Sequence, residues 1–74
     1  MKTLNLIVTE NCELCEKGLA SISVLEKFFN INTVNLEDGY QEYLLRVPVL
    51  LDGTKVLDEG ILSKRTILKN YLFS

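Results

Sequence analysis

The chain has 74 residues, with two cysteines, one proline, no histidine and no tryptophan, which excludes most enzyme chemistries and leaves room for one domain. Apolar residues make up 47% and charged residues 24%, ordinary globular proportions that argue against disorder. Eight basic against ten acidic side chains give a net charge of −2, scattered along the chain, so neither a nucleic-acid surface nor a polyanionic tail is expected.

Residues 3–9 (TLNLIVT) are rich in β-formers and read as a buried strand. Over residues 14–29, Cys15, Leu19, Ile22, Leu25 and Phe29 recur at steps of three or four. That is the stripe of an amphipathic helix, with Asn11 or Cys12 at its N-cap and Asn30 at its end. Gly18 lies on the same side and costs roughly 1 kcal/mol of helix propensity, which points to close approach by a neighbouring element. Residues 31–36 (INTVNL) alternate, Val34 and Leu36 to one side and Ile31 and Thr33 to the other, and predict a second strand. Strand, helix and strand with short connections imply parallel pairing. Glu37-Asp38-Gly39 breaks the pattern, residues 40–45 hold a turn or two of helix, and Val49-Leu50-Leu51 follows Val47-Pro48 as a third strand. Asp52-Gly53 before Lys55-Val56-Leu57 predicts a type I′ hairpin joining antiparallel strands three and four. Ser63 is the expected N-cap of a last helix that buries Ile67, Leu68, Tyr71 and Leu72. The order is β-α-β-(α)-β-β-α, an α/β fold on a mixed four-stranded sheet, in a single domain spanning residues 1–74.

Without histidine, the Ser-His-Asp and Cys-His arrangements and the HExxH zinc site are all excluded. Four dispersed glycines cannot form a phosphate-cradling loop. No apolar run approaches the ~20 residues needed to cross a membrane. Residues 4–8, after Lys2, are too few for a signal sequence and serve better as strand, so a cytoplasmic chain with reduced thiols is expected.

Chemistry then rests on Cys12 and Cys15, placed where the first strand gives way to the first helix. A helix N-terminus offers free N–H groups and partial positive charge, which favour a thiolate. Spacing i, i+3 at that turn brings the two sulfurs within bonding reach. Cys12, at or before the helix start, is the expected nucleophile; Cys15, on the apolar stripe, is the expected resolving thiol. Glu10, Glu13 and Glu16 oppose a thiolate nearby, so the Cys12 thiol is expected only somewhat below the free range. Other readings stay open. A structural disulfide closing so short a loop gains little, and zinc needs four ligands where this chain has no further His or Cys. Two inert core cysteines remain an alternative, as does a non-enzymatic module that binds a partner, or a metal or iron–sulfur centre shared between chains.

Three segments carry a family likeness: the opening strand into Thr9-Glu10-Asn11-Cys12-Glu13-Leu14-Cys15, the run Tyr43-Leu44-Leu45-Arg46-Val47-Pro48-Val49-Leu50, and Asp52-Gly53. With these the chain resembles the glutaredoxin-like branch of the thioredoxin superfamily, in its compact CxLC form, over nearly its whole length. The resemblance implies a thioredoxin-like fold and thiol–disulfide oxidoreductase activity through Cys12 and Cys15. It implies a cis Val47–Pro48 bond, with Val47 offering backbone hydrogen bonds to a substrate strand and Pro48 shaping the groove. It implies no tightly bound cofactor, with glutathione as a reductant. Its implied partners are a disulfide-containing protein or glutathione mixed disulfide and a reductase or glutathione system, acting on a monomer. The chain departs from the family where Glu13 replaces the usual proline, where no basic residue precedes the motif, and where Gly60 is followed by Ile61 rather than a glycine–acid pair. Arg46 and Lys17 are the candidate carboxylate partners.

Overall fold

The computed structural model describes residues 2–73. The first apolar run forms strand β1 (Lys2–Val8), in which Leu4, Leu6 and Ile7 are fully buried. Helix α1 covers Glu13–Ile22, seven residues short of the end of the expected helix. Serine and β-branched residues at 21–24 are weak helix formers. The Ser23 hydroxyl also donates to the Ala20 carbonyl at 2.9 Å, competing with the helical ladder. A 3-10 stretch, Ser23–Lys27, follows. Residues three apart eclipse in that geometry, so Leu25 stays in the same core as Ile22. Phe29 is therefore not helical. It opens strand β2 (Phe29–Asn35), Asn30 lies inside the strand rather than ending a helix, and Leu19 lies off the buried stripe at 36% exposure. Leu36 leaves the predicted strand for a 3-10 turn, Leu36–Asp38, fastened by the Asn35 side-chain carbonyl accepting from the Glu37 N–H at 2.9 Å.

A second 3-10 turn, Gln41–Tyr43, occupies the expected short-helix position. Strands β3 (Val49–Asp52) and β4 (Lys55–Glu59) then form the hairpin. Its two loop residues are Gly53 and Thr54, between paired Asp52 and Lys55. Only Gly53 takes a positive φ, 63°, which is the pattern of a type II′ turn. A type I′ turn would put β-branched Thr54 at positive φ, and that is sterically unfavourable. Helix α2 (Lys64–Phe73) closes the described chain. As expected, the Ser63 hydroxyl accepts from the Thr66 N–H, at 3.5 Å. The buried face of α2 is narrower than the sequence suggests. Ile67 is buried and Tyr71 meets Phe29 edge to face at 5.0 Å, but Leu68 and Leu72 are exposed.

The sheet order is β2-β1-β3-β4. β1 runs parallel to β2 and antiparallel to β3, and β3 is antiparallel to β4. The sheet is thus mixed and four-stranded, with two helices, in an α/β arrangement. Alternation along β1 and β3 sends Leu4, Leu6 and Leu50 to one core, shared with Ile22, Leu25 and Ile67 of the helical layer. Ile7, Val49 and Leu51 go to the other, under Leu36, Tyr40, Tyr43 and Val47. Both helices cover one face, and the irregular segment 36–47 covers the other, so the central strands are apolar on both sides. β4 carries one extra residue: Leu50 faces Asp58 while Leu51 faces Val56, leaving Leu57 as a bulge. Among the described residues no helix is long and apolar enough to cross a membrane.

Candidate functional site

Between β1 and α1 the chain turns at Asn11, the one described non-glycine residue with positive φ, 54°, a region asparagine tolerates better than most residues. That turn delivers Cys12 in extended conformation (φ −103°, ψ 102°) as the N-cap of α1. Its sulfur takes the role usually played by a serine or aspartate oxygen: Cys12 Sγ accepts from the Cys15 N–H at 3.1 Å. The Cys12 carbonyl accepts from the Glu16 N–H at 3.2 Å, starting the helical ladder. Cys12 and Cys15, with Cα atoms 5.2 Å apart, are joined as a disulfide. Cys12 is half-buried, whereas Cys15 is only 5% exposed against the helical core. The asymmetry follows from Cys12 standing ahead of the helix while Cys15 lies on its apolar stripe.

One helical turn beyond Cys15, Gly18 is where α1 meets the rest of the site. A Cβ there would lie 2.9 Å from Leu62 Cδ1 and 3.2 Å from Pro48 Cγ. The close approach read from the sequence is therefore real, and it seats Pro48 and Leu62 on the helix that carries Cys15. The Val47–Pro48 bond is cis, as the resemblance implies. Pro48 is fully buried, and its carbonyl accepts from the Gly60 N–H at 2.9 Å, which also reaches the Arg46 carbonyl at 3.2 Å. Of the two Val47 backbone groups, the N–H is already bonded to the Tyr43 carbonyl at 3.1 Å. Its carbonyl has no donor among the described residues.

Two shallow cavities flank the disulfide turn. One, about 280 Å³, is lined by Leu14, Lys17, Gly18, Ser21, Ile61 and Leu62. The other, about 340 Å³, is lined by both cysteines with Glu10, Glu16, Leu19 and Thr33 among its walls. Leu14, between the cysteines, is 47% exposed and Ile61 is 83% exposed, so the surface around the first cavity is apolar. The sequence marks Ile61 only as a departure from the glycine–acid pair; its signal as a cavity wall was an apolar residue directly after a glycine and ahead of the Ser63 cap.

Neither candidate carboxylate partner is free. Lys17 pairs with Glu13 at 3.5 Å. Arg46 Nε donates to Glu59 at 2.7 Å, and its guanidinium lies 5.1 Å from the Tyr43 ring centroid. The hydrogen bond to Glu59 pushes the Arg46 guanidinium above its ordinary range. Among the described residues no group of three or more cysteine or carboxylate side chains is arranged to hold a metal ion.

Fold and site together define a small α/β protein whose CxxC disulfide caps its first helix. No protein-family model matches the chain, and no curated protein matches it.

Proposed function

We propose that this chain is a small thiol–disulfide oxidoreductase with a minimal thioredoxin-like fold, akin to the glutaredoxin-like proteins and acting as a monomer in the reducing cytoplasm. The observation that carries the reading is the Cys12 sulfur at the N-cap of α1. It accepts the Cys15 N–H at 3.1 Å in front of a buried partner thiol. A backbone donor and the positive end of the helix aimed at one sulfur favour its thiolate. The sheet order β2-β1-β3-β4 and the seating of Pro48 on α1 beside Gly18 support the same reading.

In the reduced protein the Cys12 thiolate attacks one sulfur of a substrate disulfide. The substrate S–S bond breaks, one substrate thiolate leaves, and a mixed disulfide with Cys12 forms. Cys15, deprotonated, then attacks the Cys12 sulfur, expels the second substrate thiolate and closes the Cys12–Cys15 disulfide. Two electrons pass from the protein dithiol to the substrate, and both departing thiolates take up protons from solvent. Return to the dithiol requires an external thiol reductant, such as glutathione or the dithiol of a reductase. Val47 offers its open carbonyl to the substrate, and Pro48, fully buried, fixes the backbone there rather than touching the substrate.

The test is a pair of variants assayed on a simple disulfide, with a dithiol reductant for turnover and without it for trapping. Cys12→Ser keeps an N-cap oxygen and abolishes turnover; Cys15→Ser accumulates a mixed disulfide at Cys12, visible by mass. Full activity in both variants would sink the reading.

A further inference from the structure

Of the two flanking cavities, the one of about 340 Å³ is the one that both cysteines line. A disulfide substrate entering it meets Glu10 and Glu16 on the walls, together with neutral Thr9, Asn11 and Thr33. No lysine or arginine lines it. Neither glutamate has an ion-pair partner among the described residues. The nearest cation in sequence, Lys17, lines the other cavity and is paired with Glu13. Glu13 and Glu16 both stand in the first turn of α1, where the helix terminus offsets part of their charge. Glu10 precedes the helix and has no such offset. An incoming carboxylate-bearing disulfide is therefore repelled at the sulfur, and one bearing an ammonium or guanidinium is drawn to it.

We infer that this cavity selects disulfides carrying positive charge within a few ångströms of the reacting sulfur, and disfavours anionic ones such as glutathione disulfide. The inference rests on the oxidoreductase reading and names the substrate class for the same cysteine pair. The shared chemistry is a cation beside a disulfide. Its carrier is either a small aminothiol disulfide or a cystine peptide flanked by lysine or arginine. The electron balance is unchanged: the protein dithiol becomes the Cys12–Cys15 disulfide, one substrate disulfide becomes two thiols, and a dithiol reductant restores the protein.

The experiment compares reduction rates of three small disulfides of similar size: cystamine, bis(2-hydroxyethyl) disulfide and dithiodipropionate. Each rate is divided by the rate at which free dithiothreitol reduces the same compound, which removes intrinsic differences in leaving-group reactivity. A second series uses two cystine peptides, one with lysine and one with glutamate beside the cysteine. The expected normalised preference for cation over anion is about tenfold at low ionic strength, shrinking towards unity as salt screens the two carboxylates. In the double variant Glu10→Gln/Glu16→Gln the preference falls to within about twofold, while Glu26→Gln retains it. Glu26→Gln removes one of the two units of charge that the double variant removes, at the opposite end of the sheet, just before the Phe29–Lys2 pairing. The series with the larger charge preference identifies the carrier. Equal normalised rates across charge, or a preference that survives the double variant, overturns the inference and leaves the oxidoreductase reading intact. Failure to reduce any of the five substrates overturns that reading instead.

Discussion

Replacing Gly18 with alanine sets two opposed effects against each other at one atom. Alanine in a helix interior gains about 0.8–1 kcal/mol over glycine. The added methyl, however, lands 2.9 Å from Leu62 Cδ1, 3.2 Å from Leu62 Cγ and 3.2 Å from Pro48 Cγ, where carbon contacts are comfortable at about 3.5–4.0 Å. The Leu62 methyl is the end of a side chain that borders the cavity of about 280 Å³ and can give a little, but Pro48 is a fully buried ring and cannot. Overpacking of this kind costs about 1–3 kcal/mol. Gly18→Ala is therefore expected to destabilise the protein by up to about 2 kcal/mol. Ala20→Gly, on an exposed position of the same helix, supplies the calibration and should cost about 1 kcal/mol by propensity alone. Denaturant unfolding of both variants, oxidised, measures the two numbers on a common scale. If Gly18→Ala instead raised stability by the full propensity increment, the contact of α1 with Leu62 and Pro48 would not be tight, and the seating of Pro48 would need another explanation.

Three further outcomes are expected. In the reduced protein, ultraviolet titration of the Cys12 thiol gives a pKa below the free-cysteine value of about 8.5, and the Glu10→Gln/Glu16→Gln variant lowers it further; a value above the free range contradicts the N-cap argument. Asp58→Ala removes acceptors from the Glu59 N–H at 2.9 Å and the Ser63 N–H at 2.8 Å and should cost about 1–3 kcal/mol in denaturant unfolding. The Lys2 ammonium is held above its ordinary 10.5 by its hydrogen bond to Asp52, 3.0 Å away. A raised pKa means that this stabilisation is complete below the ordinary value and is lost as pH rises through the folded one. The melting difference between wild type and Lys2→Met should thus be flat up to about pH 10 and shrink above it, and a difference that grows in alkali would be the wrong sign.

Much of the architecture was legible because the central strands are apolar on both faces. The alternation of Leu4, Leu6 and Ile7 and the triplet Val49-Leu50-Leu51 mark strands buried on both faces, and a turn-forming pair marks the hairpin. The end of α1 was not legible, because the step from Leu25 to Phe29 satisfies a helical period as well as a 3-10 turn followed by a strand. Burial chose between them: Phe29 pairs with Lys2 in register and packs its ring on Tyr71. At the site, the strand-to-helix context of Cys12 and Cys15 was readable from the chain. The commitment of the Val47 N–H to Tyr43 was not, since it depends on how segment 40–47 folds back on itself. Lys17 and Glu13 stood at i, i+4 spacing and could have been paired in advance. Arg46 and Glu59, thirteen residues apart, could not, because their meeting depends on the register of β4.

That register has a consequence for how the chain can change length. Because Leu57 is an extra residue, Glu59 arrives opposite Val49, and Gly60 follows in place to bond the Arg46 and Pro48 carbonyls. The count of residues between the hairpin tip and Gly60 thus meters out where Ile61 and Leu62 land on α1. Gly53 and Thr54 are exposed, and a Cβ at Gly53 would meet nothing within 4 Å, so the tip has room for inserted residues. Deleting Leu57 would straighten β4 and advance every later residue by one position, turning Glu59 away from Arg46. Insertions are tolerable at one end of this hairpin, while at the other a single-residue deletion dismantles one wall of the site.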